Sequence, residues 1–203
     1  MRIEIIRPFS GQNISAVLFD FDGTISRERE GWPDIMVATN AAALAQAIPS
    51  LSPKEAEEWV IQDIQTTIGI PTYSQMKRLA EHITKLGGNA LPAQRYKDVY
   101  NSLLVKMVHA KHARAREIGD VSHLRVAGIA QFLPLLAKKF PNSIYVASGT
   151  DITPIQESAR FLEVEKYFTQ IMGAGFSSNP EQCAKEMVIT QLQQTHPLKE
   201  GQL

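Results

Sequence analysis

The sequence predicts an α/β fold: a Rossmann-like, doubly wound parallel sheet with an all-helical unit inserted near its start. Three observations predict it. Strand-like and helical segments alternate at both ends of the chain, in SAVLFDF and again after Gly119. From about Trp32 to about Gly119 there are helix signals and almost no strand signals. The helical stretch also leaves directly after a strand ending in two aspartates, at the end of the sheet where such folds place their ligands.

The elements follow in order. RIEII alternates and is β-branched, SAVLFDF is a near-continuous apolar run, and the turn cluster SGQN separates these two strands. PDIMVATNAAALAQAI is Ala-rich and periodic. LSPKEAEEWVIQDIQTTIG opens with Ser52, Pro53 and Glu55, a capping box with proline at the first helical position. TYSQMKRLAEHITKLGG stops at paired glycines. AQRYKDVYNSLLVKMVHAKHARAREIG is a long helix that turns basic toward its C-terminal half, which suits the helix dipole. LRVAGIAQFLPLLAKKF reads as a helix with a kink at Pro134. IYVAS is a buried strand, and DITPIQESARFLEV a helix capped by Asp151 with Pro154 early in it. YFTQIMG is a short strand. NPEQCAKEMVITQLQQT is a helix with Cys183, Met187, Val188 and Leu192 on one face. The expected boundaries are residues 1–28 and 120–203 for the α/β core and 29–119 for the helical insert.

With 203 residues, 44% of them hydrophobic, the chain can bury a substantial core. Its 21 basic and 21 acidic residues cancel, which argues against a bulk binder of nucleic acid or acidic membrane. One cysteine, Cys183, excludes an internal disulfide framework and fits a reducing compartment. MRIEIIRPFS lacks the apolar core of a signal peptide, and no apolar run reaches the roughly 18 residues of a membrane span. The expectation is a cytoplasmic protein.

In AVLFDFDGTIS, Asp20 and Asp22 stand at i and i+2 and so share a face of the ending strand. Gly23 can supply a sharp turn there. Two carboxylates in the crevice beyond a strand can bind a hard cation such as Mg²⁺. Alternatively, one can attack an electrophile while the other moves protons. Ordinary Asp-Gly turn chemistry is the competing reading. Downstream, IYVASGTD ends a buried strand in Ser148-Gly149-Thr150 just before a helix, where hydroxyls and free N–H groups make an anion site or a plain helix cap. Lys185, early in the last helix, offers a point charge for a phosphoryl oxygen or for a carboxylate, or is a solvated surface lysine.

Taken in order, FDFDGT, VASGT and a lysine near the start of a helix resemble the haloacid dehalogenase-like hydrolases, in the branch with a helical cap after the first motif. The resemblance implies a Mg²⁺-dependent phosphohydrolase acting on a small phosphorylated metabolite. Asp20 would be the nucleophile that forms an aspartyl-phosphate. Asp22 would protonate the leaving oxygen and then activate water. The Asp20 carboxylate and the Asp22 carbonyl would hold Mg²⁺, and Lys185 would neutralise charge. Ser148 and the Gly149 N–H would bind the phosphoryl group, with Phe21, Gly23, Thr24 and Thr150 completing the substrate loops. Phosphoryl transfer asks mainly for such positioning and charge neutralisation. The same resemblance admits a phosphomutase.

One motif of the family, a later acidic pair that completes the metal site, has no counterpart before the sequence stops at QTHPLKEGQL; Glu200 stands in no such context. That implies weak Mg²⁺ binding and an uncovered edge on the aspartate strand, and it leaves a non-catalytic protein on the same fold as a third reading. Among weaker signals, TTIGIPT reads either as a substrate-specificity loop or as a plain interhelical turn. His109, His112 and Arg116 share a helix face that either steers an anionic substrate or is simply solvated. SRERE, from Ser26 to Glu30, reads as a hinge with solvated charges. Trp32 and Trp59 read as packing residues.

Overall fold

The computed structural model describes residues 14–175, 179 and 184–195. The strand expected at residues 2–6, the turn at residues 10–13, Cys183 and Glu200 lie outside them. The sheet of the described residues has three parallel strands in the order β1 (Val17–Phe19), β2 (Ile144–Asp151), β3 (Gln170–Ala174). Val17 pairs with Ile144 and Phe19 with Val146; Val146 in turn pairs with Ile171. Among the described residues β1 is therefore an edge strand.

The period of two along the strands sorts side chains to two faces. Phe19, Val146 and Ile171 face one core with Ile129 and Leu133 of α5 (Ile129–Lys139) and Ile155 and Ala159 of α6 (Ile152–Phe161). Leu18, Tyr145, Ala147 and Met172 face the other, where α7 (Ala184–Thr195) supplies Val188 and Leu192 at i, i+4 spacing. Helices thus cover both faces of a parallel sheet, the Rossmann-like arrangement.

Between β1 and α5 run four helices: α1 (Trp32–Ala47), α2 (Pro53–Thr67), α3 (Thr72–Lys85) and α4 (Ala93–Ile118). They gather around a cluster of their own that includes Met36, Leu44, Val60, Met76, Leu79, Ile83 and Tyr100. The capping box stands as its residues predict, with the Ser52 hydroxyl accepting from the Glu55 N–H and the Glu55 carboxylate accepting from the Ser52 N–H. Trp59 stacks on His82 at a ring separation of 3.9 Å, and Trp32 packs against the helical cluster.

Two stretches differ from expectation. The helix expected from Leu124 begins only at Ile129. Ahead of it, the Val126 N–H donates to the Ile25 carbonyl at 3.0 Å, and the Arg27 N–H donates to the Leu124 carbonyl at 2.8 Å. The two chain segments crossing between sheet and helices are thereby hydrogen-bonded to each other, which keeps residues 124–126 out of an α-helix. The hinge charges are the second difference. Glu28 is 0% exposed and Arg29 5%. Glu28 accepts from the Ser26 hydroxyl at 3.2 Å and contacts the His112 ring, while the Lys111 ammonium donates to the Glu28 and Glu30 carbonyls at 2.8 Å each. Buried charges need such partners, and the hinge is built around them. Only Arg27 and Glu30, which pair with each other at 2.6 Å, remain exposed.

Candidate active site

The chain turns sharply just past β1. The Phe21 carbonyl accepts from the N–H groups of Thr24, Ile25 and Ser26, and the Gly23 N–H donates to the Ser26 carbonyl at 2.8 Å. Gly23 takes φ +78, which a side chain would strain. The Phe21 side chain is fully buried in the core, so Asp20 and Asp22 on either side of it face the crevice beyond the strand ends. Phe21, Gly23 and Thr24 build this turn.

Asp20, Asp22, Ser148, Gly149, Thr150 and Lys185 do converge, around a cavity of about 310 Å³. Asp20 Oδ1 lies 3.0 Å from Lys185 Nζ, with its side chain 38% exposed toward the opening. Asp22 is held more tightly. Its Oδ1 accepts from Arg29 Nη1 at 3.1 Å, and its Oδ2 accepts from the hydroxyls of Thr150 at 2.9 Å and Ser148 at 3.3 Å. The Thr150 N–H donates to Ser148 Oγ at 3.0 Å. One carboxylate is thus open and beside a single cation, while the other is fixed from three directions.

The helical unit roofs this cavity. Trp32, Tyr100 and Asn101 line it from above, together with Ile68, Gly69, Ile70 and Thr72 of the TTIGIPT stretch. A Cβ on Gly149 would stand 3.1 Å from the Ile70 carbonyl oxygen, so the absence of a side chain there lets the roof loop reach the strand end. Burial, together with the nearby Asp22 carboxylate, pushes the Tyr100 phenol well above its ordinary value, so it stays protonated as a neutral hydroxyl. Asp151 stands at the N-cap of α6 but does not cap it. Its carboxylate instead accepts from Lys97 Nζ at 2.7 Å and Asn101 Nδ2 at 3.3 Å.

The basic face of α4 is not wholly solvated. His112 is buried against Phe161, with ring centroids 3.7 Å apart, and the Arg116 guanidinium lies over the same ring at 5.1 Å. Among the described residues no group of three His, Cys, Asp or Glu side chains is placed to hold a metal. The Asp20 carboxylate and the Asp22 main-chain carbonyl are nonetheless hard oxygen donors, suited to a Mg²⁺ ion that keeps several of its waters.

Sequence reasoning missed Arg29, Lys97, Tyr100 and Asn101 as site residues. Tyr100 had a signal: with Tyr96, Leu104 and Val108 it forms an i, i+4 stripe that must face inward along α4. Arg29 had none, because its alternation with Glu28 and Glu30 looks like any charged linker.

A haloacid dehalogenase-like hydrolase family model matches residues 14–197. Comparison with curated proteins gives no match. Among solved structures the chain resembles a haloacid dehalogenase-like family hydrolase from Streptococcus pneumoniae, with 22% identity and a TM-score of 0.50; the match covers 91% of this chain and 71% of the other. It also resembles a protein from Haemophilus somnus 129pt described as a predicted phosphoglycolate phosphatase, with 17% identity, a TM-score of 0.50, and 93% and 74% of the two chains covered.

Proposed function

Because the chain belongs to the haloacid dehalogenase-like hydrolases, we propose that it is a phosphohydrolase that acts on a small phosphorylated metabolite through an aspartyl-phosphate on Asp20. The observation that carries this reading is the unequal treatment of two carboxylates one residue apart. Asp20 is open to the cavity beside Lys185, whereas Asp22 is pinned by Arg29, Thr150 and Ser148. An accessible carboxylate suits a nucleophile and a fixed one suits an acid/base, since proton transfer demands a set geometry.

In this reading an Asp20 oxygen attacks phosphorus and the bond to the leaving oxygen breaks, with Asp22 giving that oxygen its proton. Asp22, now a carboxylate, takes a proton from water as the water oxygen attacks the phosphorus of the aspartyl-phosphate. Phosphate departs, and both carboxyl groups return to their starting states. The Ser148 hydroxyl and the Gly149 N–H bind the phosphoryl oxygens, and Lys185 offsets the charge on them and on Asp20. Mg²⁺, held by the Asp20 carboxylate and the Asp22 carbonyl, would supply further neutralisation of the phosphoryl charge. Residues 29–119 act as the cap: with the Gly69–Ile70 loop against Gly149 they exclude water and limit the leaving group to what about 310 Å³ can admit.

The test is phosphate release with and without Mg²⁺ from a panel of small phosphate monoesters, including 2-phosphoglycolate because one structural neighbour carries that description. Turnover that needs Mg²⁺ and disappears in Asp20→Asn supports the reading. No release from any ester, or release unchanged by Asp20→Asn, overturns it.

A further inference from the structure

We propose that Arg29 is the positioning residue for the acid/base: its guanidinium holds the Asp22 carboxyl group at the angle from which, in its protonated form, it gives its proton to the departing oxygen. This rests on the phosphohydrolase reading above. Of the groups on Asp22, the Ser148 hydroxyl is also the one expected to turn toward a bound phosphoryl group, and so to loosen its hold. Arg29 borders the same cavity, but its second nitrogen is committed to α6. It is 5% exposed, with Nη1 on Asp22 Oδ1 at 3.1 Å and Nη2 donating to the Pro154 carbonyl and to the Ser158 hydroxyl at 3.2 Å each. Both of the latter anchors belong to α6, so the guanidinium is braced against the sheet side of the molecule rather than against the cap.

The main chain is braced as well. Lys111 ties down the carbonyls of Glu28 and Glu30 on either side of Arg29, and the fully buried Glu28 side chain is held by Ser26 and His112. A planar fork can serve α6 with one nitrogen and a carboxylate with another; an ammonium group cannot hold that geometry. The surroundings over-determine one buried arginine whose Nη1 rests on Asp22.

Leaving-group chemistry separates this role from a structural one. An alkyl phosphate expels a strongly basic alkoxide and depends on protonation by Asp22, whereas 4-nitrophenyl phosphate expels a stable anion and depends on it little. In Arg29→Gln, kcat/KM for glycerol 2-phosphate is expected to fall about 10²-fold, the lower end of what general acid catalysis contributes. For 4-nitrophenyl phosphate it should change little. Arg29→Lys, which keeps the charge without the fork, should show the same asymmetry at smaller amplitude, and it serves as the readout if Arg29→Gln fails to fold. Equal losses on both esters overturn the proposal. A wild-type protein inactive on these two and on every other ester of the panel sinks the phosphohydrolase reading instead. The crystal structure of the variant then decides the positioning role: Asp22 still seated on Ser148 and Thr150 counts against it, and a displaced carboxylate supports it.

Discussion

Lys97 Nζ lies 2.7 Å from Asp151 Oδ1, so the first third of α4 is joined to the last residue of β2 across the mouth of the candidate site. Asn101, one turn further along α4, reaches the other oxygen of the same carboxylate. The two charged side chains are 12% and 31% exposed, so water screens the pair only in part. In a double-mutant cycle of Lys97→Met and Asp151→Asn, urea unfolding is expected to give a coupling energy of about 1 kcal/mol. The single variants should also enlarge the molecule in small-angle scattering as the cap swings outward. Zero coupling with unchanged dimensions would show that the cap is held elsewhere.

Gly149 allows the roof loop to touch the strand end. Its missing Cβ would stand 3.1 Å from the Ile70 carbonyl oxygen, a main-chain atom that cannot rotate away as a side chain could. Gly149→Ala therefore displaces the Gly69–Ile70 loop by a few tenths of an ångström. Expected losses in kcat/KM run up to about 10²-fold, the scale of a small misplacement at a reacting centre. Thermal stability should change little. A variant with wild-type kinetics would mean the loop does not close the site during turnover.

Much of this fold was legible because its signals are local. Ser52, Pro53 and Glu55 announce the start of α2 within four residues, and the apolar run in IYVAS marks β2 as a buried strand. The aspartate pair and the Ser148–Thr150 stretch were legible as well, since strand ends followed by turn or helix signals mark where groups converge. What stayed hidden depends on distant partners. Glu28 is buried by His112, 84 residues away, and Arg29 by Ser158, 129 residues away. Nothing in SRERE itself distinguishes charges that will be paired inside from charges left in water. Residues 124–128 misled for the same reason: their helical composition yields to main-chain hydrogen bonds with Ile25 and Arg27.

Lys185 provides a further test of the site. Its ammonium is 3.0 Å from Asp20, and in the proposed mechanism it would offset charge on the attacking carboxylate and the phosphoryl oxygens. Lys185→Met is expected to lower kcat about 10²- to 10³-fold, the cost of removing one preorganised charge-stabilising group. Val188 and Leu192, on the buried side of α7, keep the helix docked in the variant, so circular dichroism should not change. A kcat within a few-fold of wild type would return Lys185 to the surface-lysine reading.

The capping box gives a pH prediction remote from catalysis. Hydrogen bonds from the Ser52 hydroxyl and then the Ser52 N–H hold the Glu55 carboxyl below its ordinary 4.5. A carboxylate lowered in the folded state contributes stability above its unfolded value and loses it as pH falls through the folded one. The melting temperatures of the wild type and Ser52→Ala should therefore differ at pH 7 and converge as pH drops below about 4.5. A difference that stays constant down to pH 3 would assign the effect of Ser52 to the helix N–H groups alone.

The Glu28–His112 pair lets a buried-charge argument be tested by stability alone. Glu28 is wholly buried and is held by the His112 ring and the Ser26 hydroxyl, while the same ring stacks on Phe161 at 3.7 Å. His112→Phe keeps an aromatic ring for the stack and removes the nitrogen. Breaking a buried pair from one side strands the other group, so the variant is expected to lose about 3 kcal/mol in urea unfolding, the lower end of such cases because Ser26 remains. Replacing both partners, as in Glu28→Leu with His112→Phe, leaves no stranded charge and should recover most of that loss. If the double variant is no more stable than His112→Phe, the penalty lies in packing against Phe161 rather than in the carboxylate. If His112→Phe costs under about 1 kcal/mol, the Ser26 hydroxyl alone satisfies Glu28 and the hinge does not depend on His112.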